Sequence, residues 1–277
     1  MQFAGIKIRV LAFCLLALPV LASAQAASKG PREIQSPIND HFYIRGSYFS
    51  AGVTTFARKD PTSAQAGTVV SGEDDLGYDD KIDQGRMELG FRLRDDHRLR
   101  VDYFKLSRFG DRRLTRQIQF DTSTYNVNDR VESNTDVRLL GFTYTWSFFH
   151  REKYEAGVGL GLHVADADGE AEITARRIRE KGHVVTVLPS LAVDGAWRIS
   201  RRWAVTARAQ LLSINVSDVN GEFSDYHLDA QYRWRPNVAV GLGYTMININ
   251  ADSSDVNNPG RFKLETSGPE VFFRVSF

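Results

Sequence analysis

The stretch Asp225-Tyr226-His227-Leu228-Asp229 sets an imidazole two residues from a carboxylate on either side. In an extended chain all three side chains share one face, because successive side chains alternate. A carboxylate beside a histidine is equipment for general-base chemistry. The plainer reading is a histidine hydrogen-bonded to Asp229 or to an arginine. Around this stretch lie arginines and carboxylates at alternating positions: Arg86, Glu88, Arg92, Arg94, Arg98, Arg100 and Asp102, then Asp194, Arg198, Arg208 and Arg233, then Glu270 and Arg274. Guanidinium groups and carboxylates at such density can pair with one another. Arginines with open donors would instead favour anions. The sequence also holds an acidic run, Glu73 to Asp83, and two basic clusters with Arg112, Arg113 and Arg116 and with Arg176, Arg177 and Arg179. Most charge runs are solvated surface; arginine also has the bidentate geometry for phosphates.

Metals and cofactors are not expected. The six histidines, His41 among them, show no ligand spacing, and the acidic run lacks the spacing of a calcium loop. The one cysteine, Cys14, lies in an amino-terminal apolar run. That run, Val10 to Leu21, follows Lys7 and Arg9 and precedes the small residues of "LASAQAA". This is the layout of a secretory signal peptide, residues 1–24, with cleavage after Ala24 or alternatively after Ala26. The remaining chain is free of cysteine, which suits an oxidising compartment and excludes a disulfide framework. A net charge of +1 argues against a nucleic-acid partner.

The elements that position these groups read as strands. Met87, Leu89, Phe91 and Leu93 alternate with Arg86, Glu88, Arg92 and Arg94, and the same period of two recurs along nearly the whole chain. It predicts strands near 42–54, 83–94, 98–109, 134–148, 153–166, 184–198, 202–215, 224–235, 238–250 and 263–277. They are far longer than globular strands. The links "RDDH", "FHRE", "SRR" and "RPN" are tight, and the other five are long and polar. Trp146, Trp197, Trp203 and Trp234 all stand beside the tight links with apolar-face parity, where an aromatic belt at a membrane interface would put them. The carboxy-terminal "VFFRVSF" alternates Val271, Phe273, Val275 and Phe277 with polar or inward positions.

From residue 42 to 277 the chain resembles a bacterial outer-membrane β-barrel of Gram-negative cells: all-β, antiparallel, up-and-down, with ten strands, eight or twelve being the alternatives. Residues 25–41 would then be a short periplasmic segment. The resemblance implies that the terminal phenylalanine signals to the outer-membrane assembly machinery, and that lipid and lipopolysaccharide are partners. It also implies a polar interior, in which Arg86, Glu88, Arg92, Arg98, Arg100, Asp102, Asp194, Arg208, His227, Asp229, Arg233, Glu270 and Arg274 form a charge network. The expected role is structural or surface interaction, without catalysis; a narrow anion-leaning pore is the alternative. The ten-strand size and Asp225-Tyr226-His227 are also similar to the omptin proteases, which pair an Asp-x-His with two aspartates. Asp111, Asp121, Asp129 and Asp136 offer no closely spaced aspartate pair, which leaves that resemblance incomplete.

Overall fold

In the computed structural model, residues 40–62, 65–173, 178–216, 219–255 and 259–277 are described. The expected signal peptide and most of the segment after it lie outside the described residues, as do Arg176 and Arg177. Ten long strands form the barrel: β1 (Phe42–Lys59), β3 (Lys81–Arg94), β4 (His97–Arg113), β7 (Arg130–His150), β8 (Tyr154–Ile173), β9 (Ile178–Arg198), β10 (Trp203–Val216), β11 (Val219–Arg235), β12 (Val238–Ser253) and β13 (Gly260–Ser276). Each pairs antiparallel with its sequence neighbour, and β1 pairs with β13, so the sheet closes and no barrel strand is left with a free edge. Closure lets every strand satisfy its backbone hydrogen bonds without water. A two-residue strand, β2 (Val70–Ser71), adds to β1, and β5 (Ile118–Phe120) with β6 (Ser123–Tyr125) makes a small separate hairpin.

Three stretches expected as loops, around 166–184, 215–224 and 250–263, are mostly strand. β8 runs on to Ile173 and β9 begins at Ile178; β11 begins at Val219, and β12 runs to Ser253. The cause lies in how the apolar side changes along each strand. On β7 the outward residues Trp146, Tyr144, Phe142 and Leu140 are apolar and exposed, while inward Ser147, Thr145 and Thr143 are buried. Past Leu140 the pattern inverts: Leu139 and Val137 are buried inside, and Arg138 and Asp136 face outward. β4 inverts between Tyr103 and Phe104, β8 between Val164 and Ala165, and β12 between Met246 and Ile247. Below the inversion the outer wall meets lipid and must be apolar. Above it the outer wall meets water, so polar residues move outside and apolar ones fill the interior. Polar residues in the upper strands therefore mark a wetted outer face and not loops.

The apolar residues inside the upper barrel form one layer. Phe49, Ala51, Val53, Phe104, Leu106, Val137, Leu139, Ala165, Phe223, Ile247 and Leu264 pack together, with Ile82, Leu188 and Leu212 against them, so all ten barrel strands contribute. The expected network of arginines and carboxylates lies below this layer; above it, Arg108 on β4 points inward and meets Glu73.

Loop structure caps the upper end. Val70, Leu114, Ile118, Tyr125, Val131 and Ile173 make a second small core there. The acidic run is anchored and not simply solvated. Glu73 reaches Arg108 at 2.5 Å, and Arg108 also donates to Thr55 Oγ1 at 2.5 Å and lies 4.7 Å from the centre of the Tyr78 ring. Arg116 holds Asp75 with paired bonds of 2.9 and 2.6 Å.

Two measurements check this account. Leu160→Arg, on the lipid face, should cost about 2–4 kcal/mol in urea unfolding from vesicles, whereas Ser107→Arg, outward but above the inversion, should stay within about 0.5 kcal/mol. Equal costs would place the membrane boundary wrongly. Burial pushes the Asp75 carboxyl up, but Arg116 and the Ser71 backbone amide outweigh it and hold it below its usual range. A carboxylate with a depressed folded pKa stabilises above its unfolded value and loses that contribution as pH falls. Hydrogen-exchange protection of residues 69–76, corrected for intrinsic rate, should accordingly drop on acidification below the ordinary carboxylate range and not on raising the pH.

Candidate functional site

The lower lumen is built from inward residues of the strands, which alternation aims at one another across a barrel narrow enough for side chains to fill. Its top tier centres on Arg86, which donates to Asp102 Oδ2 at 2.9 Å and Asp225 Oδ2 at 2.8 Å and lies 2.8 Å from His227 Nε2. Beneath it, Arg45 spans Asp229 at 2.7 and 3.0 Å and also reaches Glu270, with its guanidinium 3.8 Å above the Phe272 ring centre. Glu88 accepts from Tyr43 at 2.5 Å and from Arg208 at 2.6 Å. Asp194 faces Arg98 and Arg100. At the lower rim, Glu155 accepts from Arg92 at 3.0 Å, and Asp40 accepts from Arg233 at 2.5 Å and Arg274 at 2.8 Å. Among the described residues, eight arginines (45, 86, 92, 98, 100, 208, 233, 274) meet eight carboxylates (40, 88, 102, 155, 194, 225, 229, 270) in the lumen. The charges balance one for one.

The structure places Arg86, Glu88, Arg92, Arg98, Arg100, Asp102, Asp194, Arg208, His227, Asp229, Arg233, Glu270 and Arg274 in this lumen. Two arginines of the same alternation stay at the rim: a bulge between Arg92 and Arg94 leaves Arg94 exposed, and Arg198 meets Glu152. The sequence reading missed Asp40, Tyr43, Arg45 and Glu155. Asp40 precedes the first strand and was placed in the periplasmic segment; it accepts hydrogen bonds from β11 and β13 in the lumen. Inner glycines leave room for neighbouring side chains: a Cβ on Gly243 would stand 2.3 Å from Asp229 Oδ1, and one on Gly241 would stand 2.2 Å from the Phe272 ring.

Asp225 and His227 do come together, 2.8 Å apart. Both are buried, and Phe223, one inward position higher on the same strand, belongs to the apolar layer above them. Asp111 pairs with Arg130, and Asp136 faces Lys105 on the outer wall, so neither approaches His227. His227, Asp229 and Glu270 lie close enough to share an ion. Arg45 already bridges the two carboxylates, so the set fits a guanidinium and not a metal.

The remaining expected residues lie at the surface. Trp146, Trp197, Trp203 and Trp234 are 46–60% exposed on the outer wall beside the tight turns. Val271, Phe273 and Phe277 are exposed outward, Val275 is half-buried, and Phe277 stacks on Phe42 at 5.6 Å between ring centres. Arg112 and Arg113 are exposed and donate to the carbonyls of Glu73 and Asn128. Arg116 and Arg179 are engaged by Asp75 and by Glu170 with Glu172.

No family model matches the chain, and no curated protein does. Among solved structures, the outer-membrane protease OmpT of Escherichia coli aligns with a TM-score of 0.53 at 8% identity, covering 85% of this chain and 97% of that one. The translocator domain of the autotransporter NalP from Neisseria meningitidis aligns at 0.45 and 10% identity, covering 86% and 88%. Ail, the attachment invasion locus protein of Yersinia pestis, aligns at 0.34 and 10%, covering 84% and 99%. At 8% identity the likeness to OmpT is one of fold. The chain has the closed-barrel fold of the bacterial outer-membrane β-barrels, with the apolar band on its outer wall that a membrane-spanning barrel carries.

Proposed function

We propose that the chain is a closed, non-enzymatic barrel whose lumen is a structural support and whose extracellular strands and loops meet its partners. The observation that carries this reading is the stacking of a charge-balanced lower lumen under an apolar layer drawn from all ten strands. A pore for anions needs donors left open along a wetted path. Here the arginines face carboxylates, and the layer above excludes water. The protease alternative needs Asp225 and His227 at an accessible mouth, and both are committed to Arg86 below Phe223. Lipid is the partner of the outer wall. Lipopolysaccharide phosphates are the partner we assign to exposed Arg112 and Arg113, and the assembly machinery the partner for the Val271, Phe273, Val275 and Phe277 edge during biogenesis.

The refolded protein should give no conductance steps in a planar bilayer. Steady anion-selective steps would replace this reading with the pore. It should also leave a basic peptide uncut; cleavage that disappears in Asp225→Asn and His227→Ala would make it a protease. As a support, the lumen should resist single deletions poorly. Glu88→Gln removes the carboxylate that Arg208 reaches at 2.6 Å and should cost about 3–5 kcal/mol in unfolding. A loss below about 1 kcal/mol would mean the network is not what holds the barrel.

A further inference from the structure

The ring of strands is closed, but its seams differ in height. β10 pairs with β11 from Trp203 up to Val216, and with β9 only as far as Leu211 opposite Leu191. Above that pair β9 continues along β8 to Ile178, and Pro189, which lacks an amide hydrogen, stands two residues beyond it. Ile178–Ser190 of β9 and Leu212–Val216 of β10 thus have no ladder between them. The β3–β4 seam also stops short, at Arg86 opposite Phe104. There β4 carries Lys105 and Asp111, charges that discourage a guest strand, and a loop packs against it: a Cβ on Gly110 would stand 2.2 Å from the Leu76 carbonyl oxygen. Among the described residues, no turn or loop hydrogen-bonds the backbone of Ile178–Ser190. Leu188 and Leu212 flank this gap and pack on the apolar layer, so the lumen stays sealed behind it.

β9 also keeps an apolar outer face where its neighbours turn polar. Thr186 lies opposite Ala165, the first residue past the inversion on β8. Above that level β7 shows Asp136 and Arg138 to the outside, and β8 shows Asp166 and Asp168. β9 shows Val185, 55% exposed. The run Val184-Val185-Thr186-Val187-Leu188 holds no charge, and Thr186, inward by parity, is exposed as well. An uncharged, β-branched strand with one side unpaired is a template for another extended chain. Its backbone donors and acceptors recur at the strand repeat, so a strand meets them in order. Lipid tails have neither donors nor acceptors. A second barrel in the same membrane does not fit. Strands tilt by about 35–45°, so a twofold axis along the membrane normal crosses equivalent strands at about 70–90° and no ladder forms.

We propose that the β9 edge above Leu191 takes up an extended segment of a partner polypeptide outside the cell, which adds as a strand along Val184–Leu188. This rests on the surface-interaction role assigned above, and it names the site and the form of the partner. The guest segment is apolar or β-branched, free of proline and poor in charge, to match the run it pairs with. The gap closes below at Leu211 and Leu191, so the guest enters from the extracellular end.

The test is hydrogen exchange on the refolded full barrel, held as single copies in phosphatidylcholine nanodiscs. The probe is a short soluble peptide of alternating valine and threonine with a lysine at each end. Without peptide, alternate amides between Val184 and Leu188 should exchange freely. The peptide should slow them about tenfold or more. The same peptide N-methylated at alternate residues should not, because it keeps the side chains and loses the ladder. Val185→Lys should remove the protection, and Asn134→Lys, at an outer position paired on both sides, should leave it unchanged. Heat-modifiable gel mobility shows that both variants are folded. Slow exchange before peptide is added would mean that lipid or the chain itself already covers the edge, and would overturn the proposal. So would equal protection by the N-methylated peptide, or none at millimolar peptide. A barrel that neither conducts nor cleaves but gains no protection would keep the proposed function and lose this site; a conducting barrel with a protected edge would do the reverse.

Discussion

A wall one residue thick separates a packed interior from an exterior that is hydrocarbon at one height and water at another. Each barrel strand must therefore exchange the chemistry of its two faces at the membrane surface. The exchange is visible between Tyr103 and Phe104, between Leu139 and Leu140, between Val164 and Ala165, and between Met246 and Ile247. Everything else depends on it. In the lipid zone the inward positions are polar, and polar groups in a narrow lumen must satisfy one another, which brings arginines and carboxylates into contact. Above that zone the inward positions are apolar, and they make the core that an ordinary water-soluble domain would have.

The two interiors hold the barrel in different ways. The apolar layer gains from burial, with Phe49, Phe104, Leu106 and Phe223 almost entirely enclosed. The charged zone is a set of mutual obligations. Replacing such a zone by matched apolar groups can be neutral, but removing one partner is not. Arg86 shows why: its guanidinium serves Asp102, Asp225 and His227 together, so losing it would leave all three short of a partner at once. A histidine and aspartate that would suit catalysis in an open cleft are thereby bound into the scaffold.

Much of this was legible in the sequence. The period of two, the four tight links and the position of the tryptophans give ten strands and their facing, because lipid imposes a uniform demand on the outer wall. The lumen arginines and acids were legible for the same reason. What was not read was the inversion, since alternation was followed as if the outer solvent never changed; "RLLGF", where Arg138 and Leu139 break the parity of Leu140 and Phe142, carried the signal. Asp40 was missed because nothing local marks a residue before a strand as a ligand for Arg233 and Arg274, both distant in sequence. The Glu73–Arg108 anchor was missed for a similar reason: an acidic run looks the same whether or not one member reaches into the mouth.

The claim that the wall changes solvent while the interior stays closed can be tested residue by residue along β7. The chain has no cysteine after Cys14, so single cysteines at positions 136 to 146 can carry spin labels without background. In vesicles, labels at 140, 142 and 144 should be relaxed by dissolved oxygen, which partitions into lipid, and labels at 136 and 138 by a water-soluble nickel complex. Labels at 137 and 139 should be accessible to neither. Strong relaxation of 137 and 139 by the nickel complex would mean that water fills the upper lumen, and the account of a closed barrel would fail.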